Sequence, residues 1–112
     1  MAPLHASLAG RWTELSVVEQ LANVGSEVER AIRAQDAGRI DRRDHALARA
    51  LELFDLTASD PRWRGPRRRE ILRLRECFCG VLLSEHPDPD DATFLRKYFL
   101  QLATVARRGL GG

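Results

Sequence analysis

The sequence contains no apolar run that approaches the roughly 20 residues of a membrane-spanning helix. It also lacks a basic N-terminal lead-in followed by an apolar stretch, so we expect no secretory signal, no membrane contact and a cytoplasmic protein. Cysteine is scarce, and the two cysteines, Cys77 and Cys79, lie two positions apart on a predicted helix. Their side chains diverge there, which excludes both a mutual disulfide and a shared metal.

The remaining composition is that of one globular domain. The chain has 112 residues, of which 44% are apolar and 30% are charged, a balance that argues against intrinsic disorder. Charge is unevenly spread, since residues 57–112 carry more basic than acidic side chains and residues 1–56 carry the reverse. Nearly all of the basic residues are arginine, because Lys97 is the only lysine.

Apolar periodicity predicts four helices. The clearest pattern runs from Leu15 to Gln35, where apolar residues recur at alternating steps of four and three. We predict a loose leader at residues 1–14 and a single domain at 15–109. Its helices are expected at about 16–37, 42–59, 66–84 and 91–108, followed by a tail at 110–112. Short connections between helices of this length predict an all-α, antiparallel up-down-up-down four-helix bundle.

Particular residues support these helices. Ser16 and Glu19 form a capping-box pattern at the start of the first helix, whose outward face is expected to include Gln20. Gly25 interrupts the apolar stripe of that helix, which suggests that a neighbouring helix approaches closely at this point. The core stripe predicted for the fourth helix includes Phe94, Leu95, Tyr98, Phe99, Leu102, Val105 and Ala106.

Several apolar side chains lie outside the predicted core stripes. Leu72, Cys79 and Leu83 form a second line on the third helix, about 120° from its core face, and Leu100 is similarly displaced on the fourth. A single four-helix bundle buries one face of each helix, so these side chains require another partner. We therefore predict a homo-oligomer with an interface at Leu72, Cys79, Leu83 and Leu100.

Seven arginines fall between residues 62 and 75, with one acidic residue, Glu70, between the first and the last. Guanidinium groups bind phosphates bidentately, and an indole among them could stack on a base. The predicted nucleic-acid-binding residues are Arg62, Trp63, Arg64, Arg67, Arg68, Arg69 and Arg73. Two other interpretations stay open: an acidic protein partner, or a solvated surface whose arginines pair with carboxylates such as Glu70 and Glu76.

Other polar clusters predict no catalytic or metal site. Arg39 and His45 are spaced like the Arg-x4–6-His pair of the HEPN ribonucleases, which are also helical bundles, and this spacing leaves an RNA-cleaving alternative open. The group of His86, Asp88, Asp90 and Asp91 is explained by prolines and a helix cap rather than by metal binding. We therefore expect a protein that is not an enzyme and that needs no cofactor or metal.

Four segments together, WTELSVVEQLANVGSEVERA, RALELFDLTASDPRW, RLRE and YFLQLATVAR, resemble a family of small uncharacterised prokaryotic four-helix-bundle proteins. The length and layout are also distantly similar to proteins encoded in intervening sequences of 23S ribosomal RNA genes and to accessory variability proteins of diversity-generating retroelements. Both groups form pentameric rings, and the second binds nucleic acid and a reverse transcriptase. The chain lacks the Asn-Ile-Ala-Glu-Gly signature of the first group, although residues 23–27 echo it.

The expected function is that of a non-enzymatic, oligomeric helical-bundle adaptor that binds RNA or DNA through its arginine-rich surface. The resemblance implies the same assembly and ligand class. The first alternative is a module that binds only proteins, through an acidic or apolar partner surface. The second alternative is the HEPN-like ribonuclease.

Overall fold

The computed structural model describes residues 10–111, and the side chains of residues 10–108. Four long helices occupy this part of the chain: α1 is Val17–Asp36, α2 is Ile40–Ala58, α3 is Pro66–Leu83 and α4 is Pro89–Gly111. Residues 10–12 add one helical turn, and no strand occurs between residues 10 and 111. The prediction of an all-α protein is confirmed. No described helix combines the length and apolar character needed to cross a bilayer.

Helix α1 begins where the sequence predicted. The Ser16 hydroxyl accepts a hydrogen bond from the Glu19 amide at 3.1 Å, and the Glu19 carboxylate accepts one from the Ser16 amide at 3.1 Å. This reciprocal capping box satisfies two backbone donors that the helix itself leaves unpaired. The helix ends at Asp36, and Gly38 then adopts a left-handed φ of 71° that turns the chain towards α2.

The other helix ends show how the remaining connections are made. Helix α2 starts at Ile40, two residues earlier than predicted, so that Asp41 lies in its first turn instead of capping it. Helix α3 starts at Pro66, where a proline costs no hydrogen bond. Helix α4 starts at Pro89, because the carboxylate of Asp88 accepts a hydrogen bond from the Asp90 amide at 2.9 Å.

The core is formed by the inner faces of all four helices. Helix α1 packs against α2 and α4, and α3 packs against α2 and α4. Fully buried side chains come from each helix: Leu21, Val24, Val28, Phe54, Ile71, Leu74, Phe78 and Leu95. The apolar stripe predicted for the fourth helix was wrong at two positions, since Phe94 and Val105 are 42% and 55% exposed.

Gly25 is a point at which α1 and α4 approach closely. A Cβ atom at this position would lie 2.6 Å from Cδ1 and 2.9 Å from Cγ of Phe99, distances that real Cβ contacts do not show. The prediction of a close helix approach at Gly25 is confirmed. This glycine costs about 1 kcal/mol of helix propensity relative to alanine, but it allows α4 to pack closely against α1.

Candidate functional site

Arg62, the first residue of the predicted nucleic-acid surface, is engaged within the protein. Its guanidinium donates to both carboxylate oxygens of Asp60, with the shortest contact at 2.7 Å, and also to the backbone carbonyl of Leu15 at 2.7 Å. Asp60 is only 4% exposed, and this hydrogen bond and charge hold the pKa of its carboxyl well below the usual range. Arg62 therefore balances a buried charge rather than offering its own to a ligand.

Trp63 was expected on the surface, and this expectation was wrong. The side chain is 8% exposed and belongs to the core cluster. Its indole N–H donates to the side-chain oxygen of Gln20 at 3.1 Å. In this position the indole ring cannot stack on a base.

Gln20, which the sequence placed on the outward face of α1, is completely buried. Its amide nitrogen donates to the carboxylate of Asp60 at 2.8 Å and to the backbone carbonyl of Trp12 at 2.9 Å. The indole of Trp12 donates in turn to the Thr57 hydroxyl at 3.1 Å. We call these six side chains the buried polar network, in which five are buried and Arg62 lies at the exposed edge: Trp12, Gln20, Thr57, Asp60, Arg62 and Trp63.

One residue of the predicted leader, Trp12, belongs to the buried polar network. Trp12 is 4% exposed, so this residue of the predicted leader packs against the bundle. Residues 1–9 of the same predicted leader lie outside the described residues. No buried side-chain nitrogen or oxygen between residues 10 and 108 lacks a hydrogen-bond partner. The network therefore fastens the start of α1, the end of α2 and the following loop to one another.

Four exposed arginines of the cluster form neither an ion pair nor a ring contact with a described side chain, and we call them the arginine end: Arg64, Arg67, Arg68 and Arg69. Arg64 donates only to the backbone carbonyl of Pro61, at 2.8 Å. Arg67, Arg68 and Arg69 form no ion pair with any described side chain. The first turn of α3, in which they lie, contains no acidic residue, and its N-cap Gly65 provides no side-chain cap.

The last two arginines of the cluster contact other parts of the bundle. The guanidinium of Arg73 lies 5.8 Å from the ring centre of Phe94 on α4, in a cation–π arrangement. Arg75 forms an ion pair with Asp55 on α2 at 3.0 Å. The seven arginines thus lie in three environments: Arg62 pairs with a buried carboxylate, the arginine end is exposed, and Arg73 and Arg75 contact other helices.

The side chains of the predicted oligomer interface do not share one face. Leu72, Leu83 and Leu100 are 44%, 61% and 66% exposed, whereas Cys79 is half-buried. Leu72 and Leu83 lie on the side of α3 next to Arg75, which reaches towards α2. Leu100 instead lines a groove beside α1. The four residues therefore belong to two separate surfaces.

This groove has a volume of about 1510 Å³ and runs between α1, α2 and α4. Its α2 wall carries Arg39, Arg42, His45 and Arg49, and its α4 wall carries Phe99 and Leu100. Both residues of the HEPN-like spacing thus line the same groove. Sequence reasoning missed Arg42 and Arg49 as members of a surface, although their spacing of seven residues places them on one helix face.

Metal-ligating groups do not converge within the described residues. No set of three or more His, Cys, Asp or Glu side chains there could hold a metal ion. Cys77 and Cys79 are both free thiols, and burial raises the pKa of Cys77 above its ordinary value. His86 and Asp88 remain exposed on the turn between α3 and α4, and Asp90 is exposed in the first turn of α4.

Comparison with protein-family models, with curated proteins and with solved structures finds no match for this chain. The arginine end and the groove are therefore the features of the molecule that bear on its function.

Proposed function

We propose that the protein is a non-enzymatic, self-associating adaptor of the cytoplasm that binds RNA or DNA through the arginine end. The observation that carries this proposal is the set of three consecutive, exposed arginines, Arg67 to Arg69, with no ion-pair partner among the described side chains. The free thiols Cys77 and Cys79 support a reducing compartment.

The position of these arginines favours an anionic ligand. The N-terminus of a helix carries a partial positive charge, so three guanidiniums in the first turn of α3 repel both the helix dipole and one another. A phosphate would relieve this conflict, because it accepts hydrogen bonds from guanidiniums and from the free amides of the first turn. Carboxylates at the same position would do so within the protein, but the first turn of α3 has none.

The buried polar network supports the same site by holding the loop that precedes α3. Asp60, Arg62 and Trp63 are fixed by hydrogen bonds to α1 and to the segment before it. Arg64 and Arg67 follow directly in the chain, so they extend from a loop whose backbone is already ordered. An ordered binding surface loses less conformational entropy when a ligand binds.

We further propose the antiparallel up-down-up-down arrangement of the four helices. Contacts between α3 and α4 support it, because Arg73 lies over Phe94 while Glu70 lies near Tyr98, further along α4. Between α1 and α4, Gly25 meets Phe99 and Glu29 pairs with Arg96. This arrangement brings the exposed Arg107 and Arg108 of α4 to the arginine end, where they would extend the basic surface.

The test is binding of a labelled single-stranded RNA and a labelled DNA duplex of equal length, followed by fluorescence anisotropy across a salt series. The test variant carries Arg67→Glu, Arg68→Glu and Arg69→Glu. A control variant with the same change in charge carries Arg39→Glu, Arg42→Glu and Arg49→Glu in the groove.

Loss of three phosphate contacts should reduce the slope of log affinity against log salt by about 2 to 3 for the duplex. The groove variant should keep the wild-type slope. Binding should also leave tryptophan fluorescence unchanged, since both indoles are buried. An equal loss in both variants, or no loss in the first, would show that the arginine end is not the binding surface. Competition by an acidic protein, without nucleic-acid binding, would favour the protein-binding alternative.

A further inference from the structure

The two most exposed large apolar side chains of the described residues lie on different surfaces, and each lies near a set of exposed like charges. Leu100 is 66% exposed and lies on the wall of the groove opposite the α2 arginines. Leu83 is 61% exposed and directly precedes an acidic turn, residues 84–91, that carries Glu85, Asp88, Asp90 and Asp91. Each surface thus combines one exposed leucine with a set of like charges.

The basic wall of the groove lacks a partner within the chain. Arg39, Arg42 and Arg49 are exposed, and no described carboxylate forms an ion pair with any of them. The acids of the groove are already engaged, since Glu27 pairs with Arg30 at 2.8 Å and Glu29 pairs with Arg33 at 3.1 Å. The charged side chains of the groove that have no ion-pair partner are therefore positive.

The acidic turn lacks a partner in the same way. Glu85, Asp88 and Asp90 are exposed, and none of them forms an ion pair with another described side chain. Asp88 uses one oxygen to cap α4, which holds the turn in place. Two prolines, Pro87 and Pro89, limit the conformational freedom of the turn before any contact is made.

We propose that copies of the chain associate by seating the acidic turn and Leu83 of one copy in the groove of another. Carboxylates of the turn would then face Arg39, Arg42 and Arg49, and Leu83 would pack beside Leu100 and Phe99. The groove, at about 1510 Å³, exceeds the 300–1,000 Å³ of pockets that hold small molecules, so it suits a protein segment.

Nucleic acid is a less suitable occupant of this groove. Phe99 and Leu100 line one wall of it and offer no hydrogen bonds to a phosphate backbone. The acidic turn matches the arginines of the groove in charge, and the adjacent Leu83 matches the apolar wall formed by Phe99 and Leu100. Because the two surfaces differ, the contact is heterologous, which explains why the exposed leucines of α3 and α4 do not share a face.

This inference rests on the self-association included in the proposed function and adds the surfaces that mediate it. The test is the solution mass by light scattering at low salt, with a chain mass of 12.6 kDa as the reference. One variant carries Arg42→Glu and Arg49→Glu in the groove. A second carries Glu85→Arg and Asp90→Arg in the turn and leaves the Asp88 cap intact. A third, the control, carries Arg67→Glu and Arg68→Glu at the arginine end.

The wild-type protein and the control should be multimers that dissociate as salt is raised, because exposed charges are screened. Each of the first two variants should be a monomer with unchanged helical circular dichroism. Mixing them should restore the multimer, since an acidic groove then meets a basic turn. Leu83→Ser should weaken association without any change in charge.

A wild-type monomer would overturn both this inference and the self-association, but would leave nucleic-acid binding at the arginine end untouched. A wild-type multimer that survives both charge reversals, or a mixture that stays monomeric, would overturn this inference alone. Loss of nucleic-acid binding in the groove variant, with its mass unchanged, would assign the groove to nucleic acid and would overturn the inference as well.

Discussion

Replacement of Gln20 by alanine should destabilise the protein more than any other change to a single uncharged polar side chain in the buried polar network. The Gln20 amide joins three partners: the carboxylate of Asp60, the carbonyl of Trp12 and the indole N–H of Trp63. The side chain is completely buried, so alanine leaves all three groups without this partner and opens a cavity. An unsatisfied buried polar group costs about 1–3 kcal/mol.

Three such groups, partly compensated by the remaining Arg62 contacts of Asp60, predict a loss of about 3 to 5 kcal/mol in the free energy of unfolding. Domains of this size have a total stability of about 5–15 kcal/mol, so the variant should remain folded but with a much lower urea midpoint. The midpoint is measured by circular dichroism and by tryptophan fluorescence. Fluorescence reports on the network itself, because Trp12 and Trp63 are the only tryptophans in the chain.

The matched control is Gln101→Ala, since Gln101 is an exposed glutamine on α4. It should change the free energy of unfolding by less than about 0.5 kcal/mol. A Gln20→Ala variant that unfolds within about 1 kcal/mol of the wild type, with unchanged tryptophan emission, would refute the reasoning. In that case the hydrogen bonds of Gln20 could not be what fastens the loop before α3 to α1.

Four further predictions concern packing and ionisation. Gly25→Ala should lower stability by about 1 kcal/mol in thermal unfolding, because the clash with Phe99 outweighs the gain in helix propensity. Gly80→Ala should instead raise stability by about 0.5–1 kcal/mol, since its nearest neighbour would be 3.8 Å away. Asp60 has a lowered pKa in the folded protein, so its contribution is complete above about pH 3.9 and is lost as the pH falls towards the folded value. Asp60→Asn should therefore flatten the loss of stability in acid, as measured by urea unfolding between neutral pH and pH ~3. Burial, followed by a nearby carboxylate, raises the pKa of Tyr98 to about 12, and ultraviolet titration of this single tyrosine should show it; a midpoint near 10 would contradict its burial.

The sequence was informative wherever structure depends on local spacing. The capping box of Ser16 and Glu19 and the proline start of α3 depend on neighbours in the chain, and both were predicted correctly. The inner face of α3 follows the same local periodicity, since its apolar residues Ile71, Leu74, Phe78, Val81 and Leu82 are all buried. The tight approach at Gly25 could be inferred because a glycine within an apolar stripe has few other uses.

The errors arose where the environment of a residue depends on partners far along the chain. Gln20 lies at the edge of its helix stripe, and periodicity assigns a polar residue there to solvent. Its burial depends on Asp60 and Trp63, which are 40 and 43 positions away. No local pattern contains that information. The same distance explains why Trp63 was placed on the surface, among the arginines that surround it in sequence.

Arginine clusters show most clearly that local sequence does not reveal the partner of a residue. A guanidinium binds a carboxylate within the protein and a phosphate of a ligand through the same charge and hydrogen bonds. Arg62 and Arg69 are seven positions apart in the same arginine cluster. Yet Arg62 meets a buried carboxylate at 2.7 Å, whereas Arg69 meets no described carboxylate at all. What separates their roles is whether an acid lies within reach once the chain has folded. We therefore expect ligand-binding arginines among those that the fold leaves without an acid, which include the arginines in the first turn of α3 and those beside α2 in the groove.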